Sequence, residues 1–211
     1  MGHTHSMEVL LDGKRLDVPR PTLAAALKVA VEEAQRAGRI IVEVRGDGAR
    51  LTDDMLAAPS DDVLGTRTLA FTSEDPRLLV ARSMQDAEDL LGGTREKQQS
   101  IAERVQAGDL GPALSDLSEC FKAWQVLHDV VSQGCAVLGW DIEKVAIAEG
   151  ASLGAAVADL RGHLRNLRDA LEAEDWSAVS DIVGYDLETQ ATRWQATLRV
   201  LADRAAGGPG E

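Results

Sequence analysis

Apolar residues alternate with polar ones early in the chain and recur every three or four residues over the remainder. The pattern therefore predicts a sheet-bearing segment followed by helices. Its sharpest run lies mid-chain, where Leu114, Leu117, Phe121, Trp124, His128, Val131, Cys135 and Leu138 step by three and four without a miss. That spacing puts these side chains on one stripe of a helix from Asp109, past Pro112, to about Leu138. Such a stripe is expected to be buried against partner helices, with His128 at its centre.

Other helices flank it. Pro76 is expected to open a helix carrying Val80, Met84, Ala87 and Leu91, and Gly92-Gly93 to stop it. A shorter piece, Thr94 to Ala107, follows and ends at Gly108. Beyond Gly139, the stretch Trp140 to Gly150 reads as a longer connection or a short helical piece. The helix expected from Ala151 to about Ala173 bears Leu153, Val157, Leu160, Leu164, Leu167 and Leu171. Asp175 then caps a last helix to about Ala205, with Val179, Val183, Leu187, Ala191, Trp194, Leu198 and Leu201 inward. Gly184, inside that helix, marks a kink or a close helix approach. Three long helices with short links, completed by two shorter ones, predict an antiparallel bundle over residues 76–205.

Residues 7–75 follow another grammar. Met7 to Val18 alternates around Asp12-Gly13, a hairpin signal. Thr22 is placed to cap a helix through Arg36, with Leu23, Ala26, Leu27, Ala30 and Ala34 on one face, and Gly38 closes it. A strand at Ile40 to Arg45, a Gly46-Asp47-Gly48 turn, a short strand at Ala49 to Leu51, one helical turn at Asp53 to Ala57 and a strand at Thr66 to Thr72 complete the segment. Residues 1–6 and 206–211 read as disordered tails.

This order of hairpin, helix, strand, short strand and strand resembles the β-grasp or ubiquitin-like fold, a mixed sheet wrapped around one helix. The expected fold class is thus α+β, a small β-grasp-like mixed sheet followed by an antiparallel helical bundle. The resemblance implies a protein modifier, a sulfur carrier or an interaction module. Modifiers and carriers need a Gly-Gly tail directly after the last strand. Here that strand runs into Ser73-Glu74-Asp75-Pro76, while Gly92-Gly93 and Gly207-Gly208 stand elsewhere. An interaction module is the reading that remains.

Composition narrows the class. In 211 residues, 35 acidic side chains against 22 basic give a formal charge of −13, the wrong sign for neutralising nucleic-acid phosphates or anionic lipid. No apolar run approaches a membrane span and Met1 to Val9 lacks a signal-peptide core, so a bacterial-style cytoplasmic protein is expected. Cys120 and Cys135, about 22 Å apart along one helix at about 1.5 Å per residue, cannot pair there and read as small buried apolar groups.

Chemical motifs are sparse. The Glu-x-x-His pairs of di-metal bundles are missing, since Gln125 precedes His128 and Leu160 precedes His163. There is no His-Glu-x-x-His, Cys-x-x-Cys, phosphate-cradling glycine loop or Gly-x-Ser-x-Gly elbow. No catalytic residue, cofactor or metal is expected; His3 and His5 read as tail residues rather than ligands. His128 is the candidate ligand-site residue, and its competing reading is a core histidine satisfied by one hydrogen bond. His163 is expected at the core margin or the surface. Trp124 and Trp194 fall in register with their seams and read as core. Trp140 and Trp176 sit at helix junctions and are candidate partner contacts. Arg161, Arg165 and Arg168 repeat at helical spacing, either a solvated face paired with Asp159, Asp169 or Glu172, or a docking patch for an acidic partner.

Finally, Asp175-Trp176, Val179 to Leu187 and Trp194 resemble the terminal segment of uncharacterised bacterial helical proteins associated with flagellar gene neighbourhoods. The resemblance carries no function across by itself, although helical export chaperones of flagellar subunits are, as a class, likewise acidic, small and non-catalytic. The functional expectation is a non-enzymatic adaptor or chaperone-like module that binds a protein partner through the bundle or the open sheet. A second copy of the chain is a further candidate partner. The alternative is a bundle that binds a small molecule, or an enzyme centred on His128.

Overall fold

A computed structural model of the protein describes residues 7–20, 22–61, 66–148 and 150–207. His3, His5, the expected tail at 1–6 and residues 208–211 of the tail expected at 206–211 lie outside the described residues; Ala206 and Gly207, expected in that tail, instead form a turn that closes the last helix. The chain divides into two compact units, residues 1–76 and 77–211. It is an α+β protein with a mixed five-stranded sheet and a helical C-terminal region.

In the first unit the strands are β1 (Glu8–Leu11), β2 (Lys14–Leu16), β3 (Ile40–Gly46), β4 (Ala49–Arg50) and β5 (Thr68–Glu74). They lie in the order β2-β1-β5-β3-β4; β1 and β5 run parallel and the other neighbours antiparallel. Helix α1 (Leu23–Arg36) is capped by Thr22, whose hydroxyl accepts from the Ala25 amide at 3.2 Å, and α2 (Asp53–Ala57) is a single short piece. Period-two alternation turns Val9, Leu11, Leu69 and Phe71 inward, where they meet Leu23, Ala26, Ala30 and Ala34 of α1.

Both hairpins turn on Asp-Gly. Asp12 and Gly13 have φ of 50° and 78°, and Asp47 and Gly48 have 48° and 85°, the left-handed pair that a two-residue turn between right-twisted strands requires. The two aspartates then reach across the sheet to opposite ends of β5. Asp47 accepts from the Thr68 amide at 2.8 Å, and Asp12 from the Ser73 amide at 2.8 Å.

The second unit departs from expectation at its first element. Gly92-Gly93 do not end a helix: α3 runs unbroken over Pro76–Gln106. Its buried positions, Val80, Met84, Ala87, Leu91, Thr94, Gln98, Ile101 and Val105, keep the four-three rhythm straight across the glycines. The cost of two helical glycines, about 1 kcal/mol each, is outweighed by burial on both sides of them. Thr94 keeps its hydroxyl satisfied inside the helix by donating to the Leu90 carbonyl at 2.9 Å.

Helix α4 (Leu110–Leu138) ends at Gly139, whose φ of 66° allows the Trp140 amide to return to the Cys135 carbonyl at 2.8 Å. The expected connection over Trp140–Gly150 carries a strand, β6 (Ala146–Ala148), paired with β7 (Ala151–Ser152). Alanine-rich strands this short have no apolar alternation to announce them. Helix α5 is Leu153–Glu172, and Ser152 caps it by accepting from the Ala155 amide. Helix α6 (Trp176–Asp181) passes through one π turn, Ile182–Asp186, into α7 (Leu187–Ala205).

Contacts along the helices define directions. Gly134 lies against Val80 and Met84 while Arg104 meets Asp116 at 2.7 Å, so α3 and α4 are antiparallel. Arg199 meets Glu88, Arg95 meets Glu188 and Gln106 donates to Ser180, so α3 and the α6–α7 rod are antiparallel too. Asp159 meets Gln190 and Arg193, and His163 lies beside Asp186, which sets α5 antiparallel to α7. The result is an up-down-up-down bundle of four long helices, where three were expected. The seam of the last helix is fully buried from Val179 through Leu201. Its early run of four-residue steps, 179, 183 and 187, is absorbed by the π turn, which inserts a residue where Gly184 approaches Ala102. A Cβ at Gly184 would stand 2.7 Å from the Ala102 Cβ.

Candidate functional site

The stripe expected on α4 is rotated. Ala113, Leu117, Cys120, Trp124, Leu127, Val131 and Gly134 point into the core, while Leu114 and His128 are exposed. The two stripes share Leu117, Trp124, Val131 and Cys135, and Phe121 and Leu138 of the expected one pack half-buried at the margin. The reason for the rotation is that small residues count as apolar here: Ala113 and Gly134 permit close approach, with Val80 and Met84 of α3 packed on Gly134, and this draws α4 around its axis. His128 is therefore no core histidine, and it makes no hydrogen bond or ion pair among the described residues.

Instead His128 stands on the rim of a cleft of about 350 Å³ between α4, α5 and α7. From α4 the cleft takes Phe121, Trp124, Gln125 and His128; from α5 it takes Val157, Leu160, Arg161 and Leu164; α7 contributes Trp194. Trp124 and Trp194 are buried as seam residues, yet their indole N–H groups have no hydrogen-bond partner among the described residues. A buried, unpaired donor is costly, so these two N–H groups are notable in the packing behind an apolar floor. Phe121, Val157 and Leu164 are only half-buried, and Gln125, His128 and Arg161 are exposed. The cleft thus has an apolar interior, a polar rim, and no carboxylate among its lining residues, in a chain with 35 acidic side chains.

The basic row on α5 is split. Arg168 is neutralised by Asp169 at 2.6 Å and Glu172 at 3.7 Å. Arg161 and Arg165, one helical turn apart on the same face, make no ion pair among the described residues. Asp159, expected as a partner of this row, serves Gln190, Arg193 and His163 instead. His163 is half-buried, its ring 3.7 Å from Asp159 and 3.5 Å from Asp186.

The remaining candidates fall elsewhere. Trp140 is half-buried, packs against the bundle core and is covered by the Arg204 guanidinium, 5.6 Å from its ring centre. Trp176 also packs half-buried against that core, after the Asp175 carboxylate has capped α6 at the Ala178 amide. Neither lines the cleft, so the site brings together His128 and Arg161 of the sequence candidates and leaves both junction tryptophans out. Cys120 and Cys135 are buried; desolvation pushes the Cys120 thiol up to about 11 and raises that of Cys135 as well. No group of three or more His, Cys, Asp or Glu among the described residues is arranged to hold a metal ion.

One polar cluster in the sheet unit was not anticipated. Ser73, buried on β5, donates its hydroxyl to Asp12 at 2.6 Å and accepts from the Arg39 Nε at 2.7 Å, and Arg39 also donates to the Ser73 carbonyl. The hydrogen bonds from Ser73, with Arg39 and Lys14 nearby, hold the Asp12 carboxyl below its ordinary range. Every member is satisfied by another, so this is a clasp between a turn and a strand rather than a reactive centre.

Sheet, bundle and an interhelical cleft together define a small α+β protein. Residues 82–197, more than half of the chain and all within the helical region, match the family model described as a domain of unknown function (DUF8042), and the protein belongs to that family. No curated protein and no solved structure matches the chain. No helix among the described residues is long and apolar enough to cross a membrane.

Proposed function

We propose that the protein is a non-enzymatic cytoplasmic interaction module, adaptor or chaperone-like, that holds a protein partner in the cleft between α4, α5 and α7. The observation that carries this reading is the wall of half-buried Phe121, Val157 and Leu164, which leaves apolar surface beside an exposed polar rim. An apolar anchor framed by polar groups is how partner helices and loops are commonly seated. The resemblance of its last helix to proteins of flagellar neighbourhoods and the acidic balance are in keeping with a chaperone-like role.

Photo-crosslinking tests this directly. Benzoylphenylalanine placed at exposed Gln125, in the full chain in its native host, is expected to yield one discrete protein adduct. The purified partner should then bind the wild type and lose at least about tenfold in affinity for Val157→Phe, which fills the cleft. Equal binding to both would remove the cleft from the interaction.

A second reading has its own support. The mostly apolar lining, with Gln125, His128 and Arg161 at the rim, suits a small amphipathic molecule as well. A saturable thermal shift with a metabolite fraction, lost in Val157→Phe and unaccompanied by any protein adduct, would favour it.

A further inference from the structure

The rim states which partner chemistry the cleft can accept. Of the basic row on α5, Arg168 has its charge compensated by Asp169 and Glu172, whereas Arg161 and Arg165 are exposed without an ion pair among the described residues. Arg161 itself lines the cleft, and Arg165 follows one turn along the same face. Across from them α4 presents Gln125 and His128, and no lining residue is acidic. A neutral or basic occupant would cover Arg161 without replacing its water, a desolvation cost with no return. A carboxylate would replace that water with a charge-assisted, two-pronged hydrogen bond. The net charge of −13 repels a partner that is acidic throughout, so the match has to be local.

We propose that the occupant is a short peptide segment of a partner protein that seats a bulky apolar side chain on the half-buried wall of Phe121, Val157 and Leu164 and sets an adjacent Asp or Glu against Arg161 and Arg165. This rests on the reading of the cleft as a protein-docking site and adds the charge of what docks. His128 faces the same carboxylate from α4, and Gln125 supplies the remaining rim donor.

The test is selection of a random-peptide display library on the purified full chain, on the charge-swapped variant Arg161→Glu/Arg165→Glu, and on Val157→Phe. Both arginines are exposed, so the swap should leave the circular dichroism spectrum unchanged. Wild type is expected to enrich peptides with Asp or Glu next to an aromatic or aliphatic anchor. The swapped variant should prefer Lys or Arg at those positions, with individual peptides changing affinity by at least about tenfold, and Val157→Phe should enrich none of them. Enriched peptides with no charge bias, or with the same bias on the swapped chain, would overturn the acidic-segment proposal and leave the docking site standing. Failure to enrich any cleft-dependent peptide, with dodecanoate instead quenching tryptophan fluorescence of the wild type but not of Val157→Phe, would overturn both.

Discussion

Glycine means opposite things in the hairpins of the sheet unit and inside the first long helix of the bundle. In the sheet unit Gly13 and Gly48 have φ of 78° and 85°, and the chain turns there because few other residues adopt that conformation cheaply. In the helical unit Gly92 and Gly93 sit inside α3, with helical backbone and a seam that stays buried on either side. Short-range conformational demand decides the first case, and long-range burial the second. A breaker residue is thus a reliable signal where no hydrophobic face spans it, and an unreliable one where the four-three rhythm passes through without a phase shift.

Removing core mass from each unit tests whether both depend on burial to the same degree. Phe71→Ala in the sheet unit and Leu187→Ala in the bundle should each cost about 3–5 kcal/mol. Amide exchange along β5 reads the first. Tryptophan fluorescence during urea unfolding reads the second, since all four tryptophans lie beyond Pro76. A cost below about 1 kcal/mol for Phe71→Ala would mean that the turn clasps, rather than the core, hold the sheet.

The close approach at the π turn comes next. Gly184→Val should destabilise by about 1–3 kcal/mol in the same fluorescence assay, because the Ala102 Cβ offers no flexible end that could give way. An unchanged urea midpoint would show that α6 and α7 can separate from α3 freely.

Alanine then gives the contrast its cleanest form. Gly48→Ala should lose about 1 kcal/mol through its positive φ, while Gly93→Ala, whose added methyl meets nothing within 4 Å, should gain about 0.5–1 kcal/mol. Thermal melts of the two variants should therefore move in opposite directions. A loss at Gly93 would restore the glycine pair as a genuine break.

The smallest effect is electrostatic. The Asp12 carboxyl is held below its ordinary value of 3.8, so the stability it contributes is present above that value and is lost as pH falls through the lower folded value. Asp12→Asn should cost less than about 1 kcal/mol near neutral pH, and the gap to wild type should close as the pH falls below the ordinary carboxyl value and through the lower folded one. A gap that stays constant with pH would assign the clasp to neutral hydrogen bonding alone.

Much of the architecture was legible in the chain. The Asp-Gly hairpins, the Thr22 cap, the α1 face, the end of α4 at Gly139 and the whole seam from Val179 to Leu201 follow from backbone preference and apolar periodicity, both local properties. Even the π turn left a trace in the repeated four-residue steps before Ala191. The candidate site was legible only in part. Arg161 was in view as a docking residue and His128 as a ligand residue, but the latter for the wrong reason, as the centre of a buried stripe.

Tertiary packing decided the rest. Periodicity names the apolar positions of a helix but leaves the centre of its buried arc open by about one residue's rotation, and the small residues Ala113 and Gly134 set that centre only once α3 lies against them. That rotation carried His128 out of the core to the rim of a cleft. Which of Arg161, Arg165 and Arg168 has a partner likewise depended on where Asp159, Asp169 and Glu172 came to lie. Periodicity and turn chemistry are carried by neighbours in the chain and can be read from it; the packing phase of a helix and the pairing of its charges depend on residues brought together only by folding.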